Sequence, residues 1–361
     1  MSEEPLREVR NQNLALAYAP VVKNNMEEEG DDFGIPLIDL YVNDACNLRC
    51  NFCMTAFGPT VLPVSAVPVI AQLKPRVITI TGGGEPSIYR DGENRIDDFV
   101  AAIRREMGPI PIGMMSNGVK ALPEGVLSEL DWLRVSLNAP NRGLYNQVHN
   151  RDKFEDVMKN ITDYLNGPLE KLGIGFVFNE LTAHALIDFA RTIFDGIKPQ
   201  TDADKFSGLT LQFRPEANED YSRFLINIGL RQKLIVEIGV LNGEFRDFLL
   251  KQTNIMQVLD NECFLLHAAF RNCFISFLQM NIDARGDAYP CPQKAHEKKD
   301  SYGNIFDDGF VSGVRDRVRQ SFGCHNSDSC GGCAQSRVNS IYEGVDFSKL
   351  SFDGKVKPVF F

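Results

Sequence analysis

The chain has 361 residues, which is enough for one barrel-sized core and an appended segment. Its formal net charge of −10 argues against nucleic acid or an anionic membrane as a partner. No apolar run approaches the length of a membrane-spanning helix, and the amino terminus lacks a secretory pattern, so we expect a cytoplasmic protein.

Short apolar runs alternate with helical stretches over much of the chain. Residues 1–34 are predicted to be a polar leader, mobile or lightly packed, and residues 35–218 carry the alternation. Strands are predicted at 36–42, 76–80, 110–115, 132–137, 173–178 and 209–213. Helices are predicted at 62–73, 95–107, 121–130, 152–165 and 183–195. This α/β pattern predicts a partial (βα)6 TIM-type barrel with a parallel, open sheet.

The helix at 152–165 has a start signal, because Asp152 can cap it and Glu155 follows three residues later. After the barrel, residues 219–262 are predicted to be a helical connection. Residues 263–361 are predicted to form a small α+β domain, with a strand at 275–280 and glycine-rich turns.

The chain contains nine cysteines. Clustered cysteines in a reducing compartment are typical of metal ligands rather than of disulfides. Here they form two groups, which suggests two metal centres, while Cys263 stands apart and is predicted to be a small core residue. The groups are Cys46, Cys50 and Cys53, and Cys273, Cys291, Cys324, Cys330 and Cys333.

The first group forms a Cx3Cx2C loop directly after the first predicted strand. Three thiolates on one loop can bind three irons of a cubane cluster and leave the fourth iron open. The alternatives are a zinc site or three buried thiols. Zinc sites usually pair their ligands two by two and need a fourth protein ligand, which this loop does not supply.

This loop resembles the cysteine motif of the radical S-adenosylmethionine (SAM) superfamily, and Gly83-Gly84-Glu85-Pro86 resembles the family's GGEP-type loop after strand two. The resemblance covers residues 35–215. It implies a [4Fe–4S] cluster on the three cysteines, which cleaves SAM reductively to a 5′-deoxyadenosyl radical. It also implies an electron donor of the flavodoxin or ferredoxin type.

The same resemblance assigns SAM-binding positions to residues near the Cys loop and after the strands. They are Phe52, Gly83, Gly84, Glu85, Asn117, Ser136, Asn138 and Asn179. The carboxyl ends of parallel strands face the ligand site in such folds, and glycines allow close backbone approach. Each short polar side chain can instead cap a helix, and Phe52 can instead be a core residue.

The second group reads C-x12-G-x4-C…CxxC, which resembles the SPASM/twitch extension behind some radical SAM barrels. That resemblance implies one auxiliary [4Fe–4S] cluster on Cys273, Cys291, Cys330 and Cys333, so the chain would hold two clusters. Cys324 either replaces one ligand or is a thiol that donates a hydrogen atom. A structural zinc in a CxxC-containing ribbon is the alternative.

The resemblance leaves the substrate open between classes. We expect a small polar molecule, such as a sugar, an aminocyclitol or a nucleoside, since the spacing of the second group resembles radical dehydrogenases of aminocyclitol synthesis. The chain end, 357–361, lacks the Gly-Gly-Arg tail of GTP-processing members, and we expect a different substrate. Alternatives are a ribosomally made peptide, or a non-catalytic electron carrier. Arg214, with Glu216, either contacts the substrate or forms a solvated pair.

Overall fold

The computed structural model confirms the α/β class. It describes residues 17–27, 33–55, 57–216, 224–260, 269–326, 330, 333 and 336–349. Cys263, predicted to be a core residue, lies outside the described residues. No helix in these ranges is long and apolar enough to cross a membrane.

The first six strands of the described chain form the predicted parallel sheet. They are Leu37–Tyr41 (β1), Val77–Thr81 (β2), Ile112–Ser116 (β3), Trp132–Ser136 (β4), Leu172–Phe178 (β5) and Thr210–Pro215 (β6). Each pairs in parallel with the next along the chain. Their β-branched and aromatic residues favour strands, and β2 is buried on both faces, as is typical of parallel sheets.

Helices pack against the sheet through apolar stripes. In the helix Ile96–Met107, the buried residues Ile96, Phe99, Val100 and Ile103 follow the helical period. The helices of the described ranges are 17–26 (α1), Val67–Ala71 (α2), Ile96–Met107 (α3), Glu124–Leu127 (α4), Arg142–His149 (α5), Phe154–Asn166 (α6), Leu186–Ile197 (α7), Ala203–Ser207 (α8), Ile228–Val240 (α9), Gly243–Lys251 (α10), Ile255–Leu259 (α11), Pro292–Glu297 (α12), Phe310–Phe322 (α13) and Ser336–Glu343 (α14).

The carboxyl-terminal segment continues the barrel sheet. Its strands are Gln279–Ile282 (β7), Asp287–Tyr289 (β8) and Gly303–Asn304 (β9). β7 lies parallel to β1, and β8 and β9 follow it antiparallel, which gives the order β6-β5-β4-β3-β2-β1-β7-β8-β9. Asp39 in β1 accepts hydrogen bonds from Gln279 (2.8 Å) and Asn281 (3.3 Å) in β7. Burial raises the pKa of Asp39 to about 6 at this joint.

The structure differs from three local predictions. Part of the leader is packed, because α1 buries Ala19 and Val22 completely in the core. Asp152 does not cap α6, since its carboxylate is held by Arg142 at 2.7 Å and the helix begins after Lys153. The strand predicted at 275–280 begins only at Gln279, because residues 274–277 form a 3₁₀ turn instead.

Candidate metal and cofactor site

The first cysteine loop is held against the end of α5 by backbone hydrogen bonds. The amide of Arg49 donates to the carbonyl of His149 (3.2 Å), and the amide of Asn51 donates to that of Val148 (3.0 Å). The Arg49 guanidinium also donates to the Cys46 carbonyl at 2.7 Å. These bonds fix the loop although it carries no regular secondary structure.

The structure brings the three loop thiols close enough to influence one another. Burial, followed by smaller effects from charged neighbours that include the Cys53 thiol, raises the pKa of Cys46. Burial and then Cys53 and Cys46 raise the pKa of Cys50 to about 12. Three neighbouring thiolates repel one another unless a cationic group binds them, and the irons of a cluster are such a group. The donor set therefore fits the predicted iron–sulfur cluster.

His149 contacts this loop through its ring, which the sequence did not reveal. Its Nδ1 lies 2.9 Å from the Cys50 sulfur, and its Nε2 lies 3.1 Å from the Leu137 carbonyl oxygen. Since a carbonyl only accepts, Nε2 carries a proton and donates it to Leu137. Burial lowers the pKa of His149 to about 4. Phe52 packs edge-on against the imidazole, with ring centroids 6.2 Å apart.

The GGEP-type loop lies directly against the cysteine loop. The backbone amide of Gly84 donates to the Asn43 carbonyl oxygen at 2.6 Å, and the backbone amide of Glu85 donates to the Ala45 carbonyl oxygen at 2.8 Å. A Cβ atom on Gly84 would lie 1.9 Å from the Ala45 carbonyl oxygen, so only glycine fits there. Gly83 is similarly crowded, because a Cβ atom there would lie 2.8 Å from an Asp44 carboxylate oxygen.

The Glu85 carboxylate connects the loops after β2 and β3. It is buried and accepts from the Ser116 hydroxyl (2.7 Å), the Asn117 amide (2.6 Å) and the Ser87 amide (2.9 Å). The Asn117 side-chain amide in turn donates to Asn47 at 2.6 Å and lies 3.8 Å from the Cys46 sulfur. Asn117 is thus beside the cysteine loop, while Glu85 holds the loops together.

The remaining predicted SAM-binding residues lie at the ends of β4 and β5. Ser136 is half-buried at the last position of β4. Asn138 is buried, has a φ of 55° and accepts from the Val177 amide at 2.8 Å. The Asn179 side-chain oxygen accepts from the Leu181 amide (3.0 Å) and the Thr182 hydroxyl (3.2 Å). Asn138 and Asn179 therefore stabilise local turns, and their predicted SAM contacts stay predictions.

The second cysteine group is also assembled, from distant parts of the chain. Burial, followed by Cys291, Cys333 and Cys330 as neighbours, raises the pKa of Cys273 to about 12. Burial likewise raises the pKa of Cys291 to about 12, with Cys333 and Cys330 adding to it. The four predicted ligands thus influence one another electrostatically. This all-thiol set fits a cluster with four cysteine ligands.

Cys324 is placed differently from these four. It is exposed just after α13, and its thiol donates to the Gln320 carbonyl at 3.2 Å. In the described part of the chain, no three His, Cys, Asp or Glu side chains are close enough to hold a single metal ion.

Arg214 lies on β6, on the face of the sheet opposite to the buried apolar residues. Its guanidinium donates to the Gln212 side-chain oxygen at 2.6 Å. Arg134 of β4, which no motif pointed to, donates to the same oxygen at 3.1 Å. Because β5 lies between β4 and β6, this contact places the three side chains on the same face of the sheet, opposite the buried apolar residues of β4 and β6.

The comparisons with known proteins identify one domain in the amino-terminal half of the chain. Residues 40–193 match the family model described as the Radical SAM superfamily. A GTP 3′,8-cyclase of Mycobacterium ulcerans (strain Agy99) is 36% identical over 144 residues, which cover 36% of this chain and 39% of that enzyme. The chain thus aligns with well under half the length of this curated relative.

Two solved structures are similar to this fold. One is anSMEcpe with bound AdoMet and Cp18Cys peptide, with a TM-score of 0.54, 17% identity, and coverage of 84% of this chain and 88% of that chain. The other is Streptococcus suis SuiB bound to the precursor peptide SuiA, with a TM-score of 0.50, 14% identity, and coverage of 88% and 76%. At these identities the likeness extends to the fold alone.

Proposed function

We propose, from the match of residues 40–193 to the Radical SAM superfamily, that this chain is a radical SAM enzyme that abstracts a hydrogen atom from a small polar substrate. SAM and a [4Fe–4S] cluster are the cofactors of this domain. When bound, they supply the 5′-deoxyadenosyl radical that starts the reaction. A flavodoxin- or ferredoxin-type protein is the proposed electron donor.

Cys46, Cys50 and Cys53 hold the first cluster in this proposal. The observation that supports it best is the convergence of these thiols on one loop, pinned to α5 and beside Asn117 at the carboxyl ends of the strands. Three ligands leave one iron for SAM. The backbone of Gly83 and Gly84, with Asn117 and Ser136, lines the proposed SAM pocket.

Phe52, Glu85, Asn138 and Asn179 complete the proposed SAM site. Phe52 lies next to the loop against His149 and can contact the adenine. Glu85 contributes by holding the GGEP-type loop in place, since its oxygens already accept three protein donors. Asn138 and Asn179 shape the strand ends and can offer their amide nitrogens to the ribose.

We further propose that the substrate is oxidised by two electrons. Cys273, Cys291, Cys330 and Cys333 would hold an auxiliary cluster without an open iron, which suits an electron acceptor better than a substrate-binding site. A carbinol carbon gives one hydrogen atom to the radical. The hydroxyl proton then goes to solvent, one electron goes to the acceptor, and a carbonyl forms.

The test is a reduced, reconstituted full-length enzyme incubated with SAM and a substrate panel. The panel holds sugars, aminocyclitols, nucleosides and, because the relative is a GTP 3′,8-cyclase, GTP. We expect a product two mass units lighter and one 5′-deoxyadenosine per turnover. An isobaric product with one solvent deuterium would mean epimerisation. Modification of a peptide from a parallel peptide panel would show that the substrate is a peptide and not a small molecule. Absence of 5′-deoxyadenosine would refute the proposal that the chain is a radical SAM enzyme.

A further inference from the structure

A carboxylate lies where the barrel sheet joins its carboxyl-terminal extension. Asp39 of β1 is opposite Thr79 of β2 and opposite Asn281 of β7 in the strand registers. Its carboxylate accepts hydrogen bonds from the side chains of Gln279 (2.8 Å), Asn281 (3.3 Å) and Thr79. No charged side chain in the described ranges acts on the pKa of Asp39. Neutral groups alone therefore hold this carboxylate in place.

Asp39 lies on a face of β1 that the core does not cover completely. Successive side chains of a strand point to opposite faces of the sheet. Ile38 and Leu40 occupy one face of β1 and are completely buried. Leu37, Asp39 and Tyr41 occupy the other face, and each keeps part of its surface exposed. A ligand can therefore reach Asp39 from this second face.

Gln279 places a second acceptor beside this carboxylate. The residue is only 8% exposed, and its side-chain nitrogen donates to Asp39 and to the Asn281 side-chain oxygen at 3.3 Å. Both protons of the amide nitrogen are thus used. No donor in the described part of the chain contacts Gln279 Oε1, and this oxygen is not sealed off from solvent. Gln279 Oε1 is therefore an open hydrogen-bond acceptor.

The open positions at this site match a cationic donor. An ionised carboxylate accepts up to about four hydrogen bonds, and three donors contact Asp39, so one position is open beside Gln279 Oε1. Burial outweighs the three hydrogen bonds and raises the pKa of Asp39 to about 6, so a cation would stabilise the ionised form. An ammonium group has three donors, no acceptor and a positive charge. It can therefore satisfy both open acceptors and the charge.

We propose that Asp39 and Gln279 bind a protonated amine of the substrate on this face of the sheet. This inference rests on the proposed function and narrows its substrate class to small polar molecules that carry a basic amino group. The amine donates to the Asp39 carboxylate and to Gln279 Oε1. Thr79 and Asn281 keep the carboxylate in position through their own hydrogen bonds.

The site lies between the two cysteine groups along the strands that form it. The carboxyl end of β1 leads into the loop of Cys46, and Asp39 is the middle residue of β1. β7 is parallel to β1 and begins after Cys273, while β8 runs back antiparallel and ends before Cys291. The two groups therefore lie towards opposite ends of these strands. A substrate bound at Asp39 suits a reaction that passes a hydrogen atom to one centre and an electron to the other.

Calorimetry of the reconstituted full chain, saturated with SAM at neutral pH, tests this site with two pairs of probes. Glucosamine is compared with glucose, and cyclohexylamine with cyclohexanol, so that each pair exchanges an amine for a hydroxyl. We expect saturable one-to-one binding of at least one amine. That amine should bind about tenfold or more tightly than its neutral counterpart, the effect of one charge-assisted contact.

Variants and pH locate the binding site. Asp39→Asn keeps the shape but removes the charge, and should weaken amine binding about tenfold. Gln279→Met removes Oε1 and should weaken it less. Asp195→Asn, at an exposed position on α7, is the matched control and should change nothing. In the wild type, amine binding should weaken as the pH falls through about 6, because Asp39 becomes protonated. The groups that face it from β2 and β7, Thr79, Gln279 and Asn281, do not titrate there.

The outcomes separate this inference from the proposed function. Formation of 5′-deoxyadenosine by the reduced wild-type enzyme reports the proposed function, whatever the probes show. Absence of saturable amine binding, or equal binding of each amine and its neutral counterpart, would overturn the amine site alone. Amine binding that Asp39→Asn leaves unchanged would also overturn it. If Asp39→Asn does not fold, Gln279→Met and the pH dependence of the wild type decide the question.

Discussion

The two cysteine groups are assembled from differently distributed parts of the chain. Cys46, Cys50 and Cys53 come from one loop after β1, whereas the second group joins residues before β7, after β8 and beyond α13. The first group includes an exposed thiol, Cys53. Cys273, Cys291, Cys330 and Cys333 are all partly buried, and burial raises the pKa of Cys273 and Cys291 to about 12, as it does for Cys50 of the first group. A group of three thiols with one exposed member suits an open iron, and a group of four partly buried thiols suits a cluster without an open iron.

The charged and polar neighbours of the two cysteine groups also differ. Near the first group, the Asn117 side-chain amide lies 3.8 Å from the Cys46 sulfur, and Glu85 and Arg49 are the charged neighbours of that thiol. Near the second group, Lys294 is buried and pairs with Asp300 at 2.9 Å. Burial alone would lower the pKa of Lys294, but its hydrogen bond to Asp300 and the neighbouring Cys330 raise it. We therefore propose that the first group holds a cluster with one iron open to SAM and that the second group holds a cluster without an open iron.

Replacing the three cysteines of the first group should have the largest effect, because this group is proposed to hold the cluster that cleaves SAM. Changing Cys46, Cys50 and Cys53 together to Ala should lower the iron content from about eight to about four atoms and abolish 5′-deoxyadenosine formation. Iron analysis and chromatography of the reduced enzyme with SAM measure both. A variant without any iron would show that the second group does not bind a cluster alone.

Replacing one cysteine of the second group should remove cluster iron without abolishing 5′-deoxyadenosine formation. Cys273→Ala should lose about four irons and still form 5′-deoxyadenosine, because the first loop is untouched. Cys324→Ala is the matched control and should keep all the iron. If Cys324→Ala loses cluster iron, Cys324 is a ligand and our ligand set is wrong. If it keeps the iron but forms no product, the thiol is a hydrogen donor.

Gly84→Ala probes the contact that positions the first loop. The new Cβ would collide with the Ala45 carbonyl, so the free energy of unfolding should fall by about 3 kcal/mol and first-site iron should drop. Gly125→Ala adds a Cβ with no atom within 4 Å, in a helix, and should slightly stabilise the protein. Denaturant unfolding and iron analysis compare them. Equal stabilities would mean that this close approach is not needed.

His149→Ala should affect the first cluster alone, and less severely. Loss of the ring beside Cys50 should speed the release of first-site iron to a chelator about tenfold, a usual cost of removing a partner of a metal ligand. The electron paramagnetic resonance signal of the first cluster should also change. His184→Ala, at an exposed position, is the control. A change in the second signal instead would contradict the assignment of His149.

The comparison also explains what the sequence could predict. The strands, most helices and the Cx3Cx2C and GGEP-type motifs were readable because periodicity and contiguous spacing encode them. Arg134 and His149 were not, since their partners Gln212 and Cys50 lie 78 and 99 residues away in the chain. Asp152 was misassigned because an ion pair with Arg142 outcompeted a local cap. Contacts that depend on how strands and helices meet have no local signature.

The most direct test of the account is paramagnetic resonance of the reduced, reconstituted enzyme with and without SAM. We predict two [4Fe–4S] signals, of which SAM perturbs only the one that disappears when Cys46, Cys50 and Cys53 are replaced by Ala. The signal that disappears in Cys273→Ala should not respond to SAM. A response of that second signal, or of neither signal, would contradict the claim that one centre is open and the other closed.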